Sequence, residues 1–196
     1  MGSAPRILAF AGSTRTESFN KQLARIAVTA ARAAGAEVTL VDLRDLPMPL
    51  FDQDLEAREG LPVQARRFKE LLLSHEGLLI SSPEYNSSLP GVLKNAIDWA
   101  SRPDPGEAPL ACFTGKVAAL FSASPGALGG LRGLVHLRAM LENIRVMVLP
   151  DQLAIPRAHE AFAPDGALKD PTQHASVERI AQALTAILRK LHAPSS

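Results

Sequence analysis

Apolar residues recur along this chain in two alternating rhythms. Short apolar runs stand within residues 7–11, 77–82 and 117–121, and more mixed strand-like stretches cover 37–43 and 145–149. Bounded by turn residues, such runs read as buried strands of a parallel sheet. Between them, apolar positions return at helical spacing. Leu23, Ile26, Ala27, Ala30, Ala31 and Ala34, closed by Gly35, predict a first helix. A second is predicted over residues 63–74. A third turns Val92, Leu93, Ala96, Ile97 and Ala100 inward, with Pro90 in its first turn. A fourth covers 131–142 and a last one 174–191. Lys94 and Asp98, four residues apart, predict an ion pair on the outer face of the third helix.

The connections are uneven. Residues 44–62 contain three prolines and predict a long irregular loop, and 102–115 are a second Pro/Gly-rich connection. Residues 150–171 show little periodicity and exceed most connections in compact domains. Regular alternation of strand and helix predicts an α/β fold with a parallel sheet wound on both faces. Five strands fit a flavodoxin-like three-layer sandwich, order 2-1-3-4-5, or half of a Rossmann fold. After the first strand stands Gly12-Ser13-Thr14-Arg15, without the G-x-G-x-x-G of a Rossmann loop, which favours the flavodoxin order. No internal repeat and no second domain is visible, so residues 1–196 read as one domain.

Composition changes this picture little. Of the 196 residues, 46% are hydrophobic and 21% charged, which is ordinary for a globular chain. The 21 basic residues are interleaved with 20 acidic ones, so nucleic acid is not an expected partner. No apolar run reaches the ~18 residues of a membrane span. The opening Met1-Gly2-Ser3-Ala4-Pro5-Arg6 carries no secretory-type leader, and Arg6 stands where a myristoylation signal wants Ser or Thr. With a single cysteine, Cys112, no internal disulfide can form, and a cytoplasmic location is expected. The five histidines show no paired metal spacing, so no metal site is expected. Trp99 reads as a packing residue or as one facing a partner subunit.

Candidate chemistry gathers in three loops, each at the carboxyl end of a strand, where ligands bind in open α/β sheets. The loop from Gly12 to Asn20 opens a helix, so its amides and the helix dipole favour an anion. Ser13, Thr14, Ser18 and Asn20 add donors, and Arg15 adds a fork suited to phosphate. Ser18 also reads as a simple helix cap, which is compatible with anion binding. The second loop, Pro83-Glu84-Tyr85-Asn86, is rich in hydrogen-bonding groups and carries the chain's one tyrosine. By composition it also reads as an ordinary turn. The third, residues 122–130, has glycines that permit close backbone approach; by itself it reads as a plain loop.

The wording of these loops is more specific than their composition. Pro83-Glu84-Tyr85-Asn86, followed by Pro90-Gly91-Val92-Leu93-Lys94-Asn95-Ala96-Ile97-Asp98-Trp99, resembles the NAD(P)H-dependent FMN reductase family, which includes quinone, chromate and azo-dye reductases. The stretch from Gly12 to Asn20 is similar to that family's FMN-phosphate loop. Ser122, Ser124 and Gly126 are similar to its second ring-contacting loop. The resemblance implies that Gly12, Ser13, Thr14, Arg15, Ser18 and Asn20 hold the phosphate. It also implies that Pro83, Glu84, Tyr85 and Asn86 wall the flavin ring. It further implies NADPH or NADH as co-substrate, a small-molecule electron acceptor and a homodimer or homotetramer. No side chain need be a nucleophile or base, because the flavin carries the chemistry. The rival reading is an electron-carrier flavodoxin, against which the balanced charge argues.

Overall fold

A computed structural model describes residues 3–192, so that Met1 and Gly2, where part of the N-terminal reading falls, lie outside the described residues. Five strands form one parallel sheet: β1 (Arg6–Ala11), β2 (Glu37–Asp42), β3 (Gly77–Ser81), β4 (Val117–Ala123) and β5 (Met147–Ile155). Their order is β2-β1-β3-β4-β5, the flavodoxin-like order. The helices are α1 (Phe19–Ala33), α2 (Gln53–Glu59), α3 (Val63–Leu73), α4 (Gly91–Ala100), α5 (Leu131–Asn143), α6 (Ala158–Ala161) and α7 (Pro171–Leu191).

Successive strand side chains point to opposite faces. Ile7, Ala9, Leu79, Val117, Ala119 and Phe121 join residues of α1 and α7 in one core. Leu8, Phe10, Leu78, Ile80, Ala118 and Leu120 join α3, α4 and α5 in the other. Covering both faces leaves the central strands no polar side, which is why they read as unbroken apolar runs. The expected Lys94–Asp98 pair is present at 2.6 Å.

Several boundaries move. The 44–62 stretch contains a 3₁₀ turn (Leu43–Asp45) and the helix α2. Helix α2 buries no residue and is started by the Asp52 carboxylate, which accepts from the Asp54 amide at 2.8 Å. A helix without a buried stripe leaves no period to detect. Pro90 is the N-cap of α4 rather than a first-turn residue. Strand β4 runs past Phe121, because Ser122 and Ala123 stay paired with Ala154 and Ile155. Strand β5 begins later than predicted and absorbs the start of the 150–171 segment. Its register against β4 slips between Ala118 and Leu120. Pro150 falls in that irregularity, on an edge strand where its missing N–H is tolerated. The Arg138 guanidinium donates to the Leu149 carbonyl at 2.7 Å and to Gln152 Oε1 at 3.1 Å. The rest of the segment holds α6 and a Phe162–Leu168 bridge.

Trp99 does not face a partner. It is fully buried, stands edge-on to Phe51 and donates Nε1–H to the Pro49 carbonyl at 2.8 Å. Among the described residues no helix is long and apolar enough to cross a membrane.

The loop after β4 is seated on the end of β5 through Gly129. Gly129 has φ +61°, and a Cβ there would lie 2.7 Å from the carbonyl carbon of Ile155. Gly129→Ala should therefore destabilise the protein by at least ~1–2 kcal/mol, the cost of the left-handed conformation before any clash. Urea melts check this, and an unchanged midpoint would contradict the packing.

Candidate active site

Strand β1 delivers the first loop to the carboxyl edge of the sheet. The Gly12 amide continues the ladder by donating to the Ser81 carbonyl at 2.9 Å, and a Cβ on Gly12 would meet Leu93 at 2.9 Å. Ser13 is buried, with its hydroxyl accepting from the Arg15 amide at 3.3 Å. Ser18 stands at the N-cap of α1, yet its side chain makes no cap hydrogen bond, and the first turn holds no acid. The first amides of the helix are thus left without a side-chain cap, and Glu17, just before Ser18, is the acid that stands beside them. Among the described residues, neither Arg15 nor any loop hydroxyl is paired with a carboxylate. The Thr14 and Ser18 hydroxyls and the Arg15 guanidinium make no hydrogen bond among the described residues, and such donors suit a phosphate monoester.

Asn20 has a different place from the one expected. It is buried at 3% exposure, one turn below the loop. Its Nδ2 donates to the Ala123 carbonyl at 2.8 Å, and its Oδ1 accepts from the Ala123 amide at 2.9 Å and from Ser81 Oγ at 3.0 Å. The carboxamide is occupied by protein, so Asn20 braces α1 against the ends of β3 and β4.

The second loop turns back on itself. Tyr85 N–H donates to the Ser88 carbonyl at 2.9 Å, and Ser88 N–H returns to Tyr85 at 3.0 Å. Between them Asn86 (φ 50°) and Ser87 (φ 65°) are both left-handed, the pattern of a two-residue type I′ turn. The turn holds Tyr85 half exposed. Glu84 is not free to meet a ligand through its carboxylate. It accepts from Arg132 Nε at 2.9 Å and from the Gly133 amide at 3.2 Å, and so fastens this loop to the start of α5. Burial disfavours its ionised form, but the hydrogen bonds from Arg132 and Gly133 prevail and hold its pKa below the ordinary 4.5.

In the third region Ser122 is a strand residue rather than a loop residue, fully buried within β4. Its Oγ has no hydrogen-bond partner among the described residues, and a Cβ on Gly130 would come within 2.0 Å of it. Gly130, at φ +93°, lets the chain pass there. Ser124 anchors the loop: its amide donates to the Ile155 carbonyl at 3.1 Å, and its hydroxyl accepts from Gly126 at 3.3 Å. A Cβ on exposed Gly126 would meet only Ser124 Oγ, at 3.8 Å, an ordinary contact.

Three loops therefore share one edge and are tied together by side chains the sequence patterns did not single out, Ser81 and Arg132, while a Lys21–Asp42 pair at 2.5 Å joins α1 to the end of β2 beside the first loop. None carries a periodicity or motif that marks it. Cys112 lies elsewhere, with its thiol donating to the Ala100 carbonyl at 3.1 Å. Burial pushes that thiol up to about 12, so it is not a nucleophile at neutral pH.

The Glu84 contacts make a testable statement about acid stability. A carboxylate with a lowered folded pKa stabilises fully above its ordinary value, and that stabilisation is lost as pH falls through the lowered value. Glu84→Gln should lower the melting temperature at pH 7 and narrow its gap to the wild type toward pH 3. A gap independent of pH would show that Glu84 acts by shape alone.

The arrangement agrees with what similar proteins are. The family model described as NADPH-dependent FMN reductase matches residues 5–160. An NAD(P)H-dependent FMN reductase of Pseudomonas aeruginosa is 36% identical over 187 residues, covering 95% of this chain and 96% of the relative. A quinone reductase of Escherichia coli strain K12 is 38% identical over 150 residues, 76% of each chain. The solved structure of the flavoenzyme NAD(P)H:(acceptor) oxidoreductase FerB from Paracoccus denitrificans superposes with a TM-score of 0.79 at 28% identity, covering 96% of this chain and 99% of the other. With three convergent loops on a 2-1-3-4-5 parallel sheet and a family match over most of its length, this chain belongs to the NADPH-dependent FMN reductase family.

Proposed function

We propose that the chain, acting as one domain, is an FMN-dependent oxidoreductase that draws electrons from NADPH or NADH and delivers them to a quinone. The observation that carries this is the set of uncommitted donors in the 12–18 loop, beside two further loops, in a member of a flavin reductase family. Bound there, FMN would supply the two-electron redox chemistry that links nicotinamide to acceptor.

The chain's own residues bind and orient. Ser13, Thr14, Arg15 and Ser18 take the phosphate, and Gly12, with its amide on the Ser81 carbonyl, sets where the loop leaves β1. Asn20 keeps that loop in register with its neighbours. Pro83, the Glu84 backbone, Tyr85 and Asn86 form one wall of the ring site, with Ser124 and Gly126 beside them. Ser122 supports Gly130 from within β4. The half-exposed Tyr85 borders the place where nicotinamide and acceptor alternate, and the exposed Gly126 stands on the side from which they enter. Quinones are the first class of acceptor, following the relatives' activity. Azo dyes, free flavin and metal oxyanions such as chromate are further candidates. A homodimer or homotetramer and a cytoplasmic location, with Cys112 reduced, belong to the same proposal. The carrier reading is weaker, because 21 basic residues offset 20 acidic ones and leave no strongly negative docking field.

The purified protein should carry a yellow visible spectrum that bleaches anaerobically on adding NADPH or NADH, and colour should return with a quinone. A flavin that stays oxidised with both nicotinamides would leave the carrier reading instead. Replacing Arg15 by Ala should weaken FMN binding by ~1.5–3 kcal/mol, the scale of a charge-assisted hydrogen bond. Equal affinities by calorimetry would remove Arg15 from the site. Tyr85→Ala should change turnover or acceptor range while leaving FMN phosphate recognition in place; steady-state kinetics over several quinones read this.

A further inference from the structure

Next to the phosphate loop lies a cavity of about 240 Å³, between that loop, the 3₁₀ turn after β2 and one side of α4. Its walls are mostly apolar: Leu46, Met48, Val92 and Ala96. Three polar residues line it as well, Thr14, Arg44 and Asn95. This volume is below the ~300–1,000 Å³ of sites that take a whole drug-sized ligand, and it suits one flat heterocycle.

The slot is braced from outside. Asn95, which also borders it, accepts from the Phe51 amide at 2.8 Å and donates to the Pro49 carbonyl at 2.9 Å, where Trp99 Nε1 also binds at 2.8 Å. The 47–51 wall is thereby held in place before any ligand arrives, which lowers the ordering cost of binding. Arg44 is held too, by its amide on Asp42 at 2.9 Å and its guanidinium on the Thr16 hydroxyl. That leaves most of its five N–H donors unused. Among the described residues it makes no ion pair. The two nearby acids are turned elsewhere: Asp42 is taken by Lys21 at 2.5 Å, and Asp45 lines separate cavities. No carboxylate lines the slot.

We propose that this slot receives the adenosine end of the nicotinamide dinucleotide, and that Arg44 binds the 2′-phosphate and so selects NADPH over NADH. The inference rests on the oxidoreductase reading above and adds the choice of electron donor to it. An apolar slot rimmed by one unpaired arginine matches an aromatic base carrying a phosphate on its ribose. Dinucleotide sites follow the same logic, an acid for the ribose 2′-hydroxyl and an arginine for the 2′-phosphate. The position fits as well. The slot touches the phosphate loop at Thr14 and α4 at Val92, and α4 follows directly from the Tyr85 turn. A dinucleotide with its nicotinamide at that turn can run along the same edge to Arg44.

The test uses the FMN-loaded protein and calorimetric titration with adenosine 2′,5′-bisphosphate and with adenosine 5′-monophosphate. The wild type should bind the bisphosphate about tenfold or more tightly, the margin of a charged hydrogen bond. Arg44→Ala should lose that margin, Arg44→Lys should keep part of it, and the kcat/KM ratio of NADPH to NADH should fall in parallel. Equal binding of the two nucleotides by the wild type, or an undiminished margin in Arg44→Ala, would overturn the proposal. Loss of FMN from Arg44→Ala would also overturn it, by assigning the arginine to the flavin phosphate. A change confined to the quinone KM would overturn it in favour of the acceptor. Titration needs no turnover, so its failure is distinct from failure of the oxidoreductase reading, which shows as a flavin that neither nicotinamide bleaches.

Discussion

One buried carboxamide, that of Asn20, holds the working edge of this protein together. It leaves the first turn of α1 and makes three hydrogen bonds, two to the backbone of Ala123 and one to Ser81. A polar side chain this deep is costly unless its bonds are made, and here they join the helix to the two central strands on its far side. The loop before α1, the loop after β3 and the loop after β4 inherit their spacing from this junction. Removing the amide would leave the Ala123 groups unpaired and free α1 from the ends of β3 and β4.

Electrostatic order on that edge follows from which charges are already matched. Glu84 is consumed by Arg132 and the start of α5, and Asp42 by Lys21. Arg15 and Arg44 are left without acids, beside a helix N-terminus with no side-chain cap. On a chain with almost no net charge, these two guanidiniums and the uncapped helix end are positive groups that no acid pairs among the described residues.

Backbone conformation provides the remaining precision. Asn86 and Ser87 bend left-handed so that Tyr85 stands half exposed, and Gly129 and Gly130 let the third loop pass close over β5 and Ser122. Strain of this kind persists where surrounding contacts hold it. The contacts in question are the Tyr85–Ser88 bonds and the seating of Ser124 on Ile155.

By itself the sequence determined the sheet, its order and the three loops. Buried strands covered on both faces must be apolar at every position, and helices packed on them must show a stripe, so both are written in the pattern. Elements outside that rule stayed hidden. Helix α2 buries nothing, and β5 continues through Pro150 on an edge where Arg138 makes good the lost pairing. The loop motifs were legible because local wording carries them, but the roles within them were decided only in three dimensions. Asn20 and Glu84 look like ligands in sequence and are engaged by protein in space. Ser122 looks like a loop residue and lies within a strand. Arg44 belongs to no motif, and its slot exists only because segments 43–48 and 92–96, remote in sequence, meet beside Thr14. Which donors are left free depends on which partners the folded chain brings within hydrogen-bond reach, and one-dimensional spacing does not contain that information.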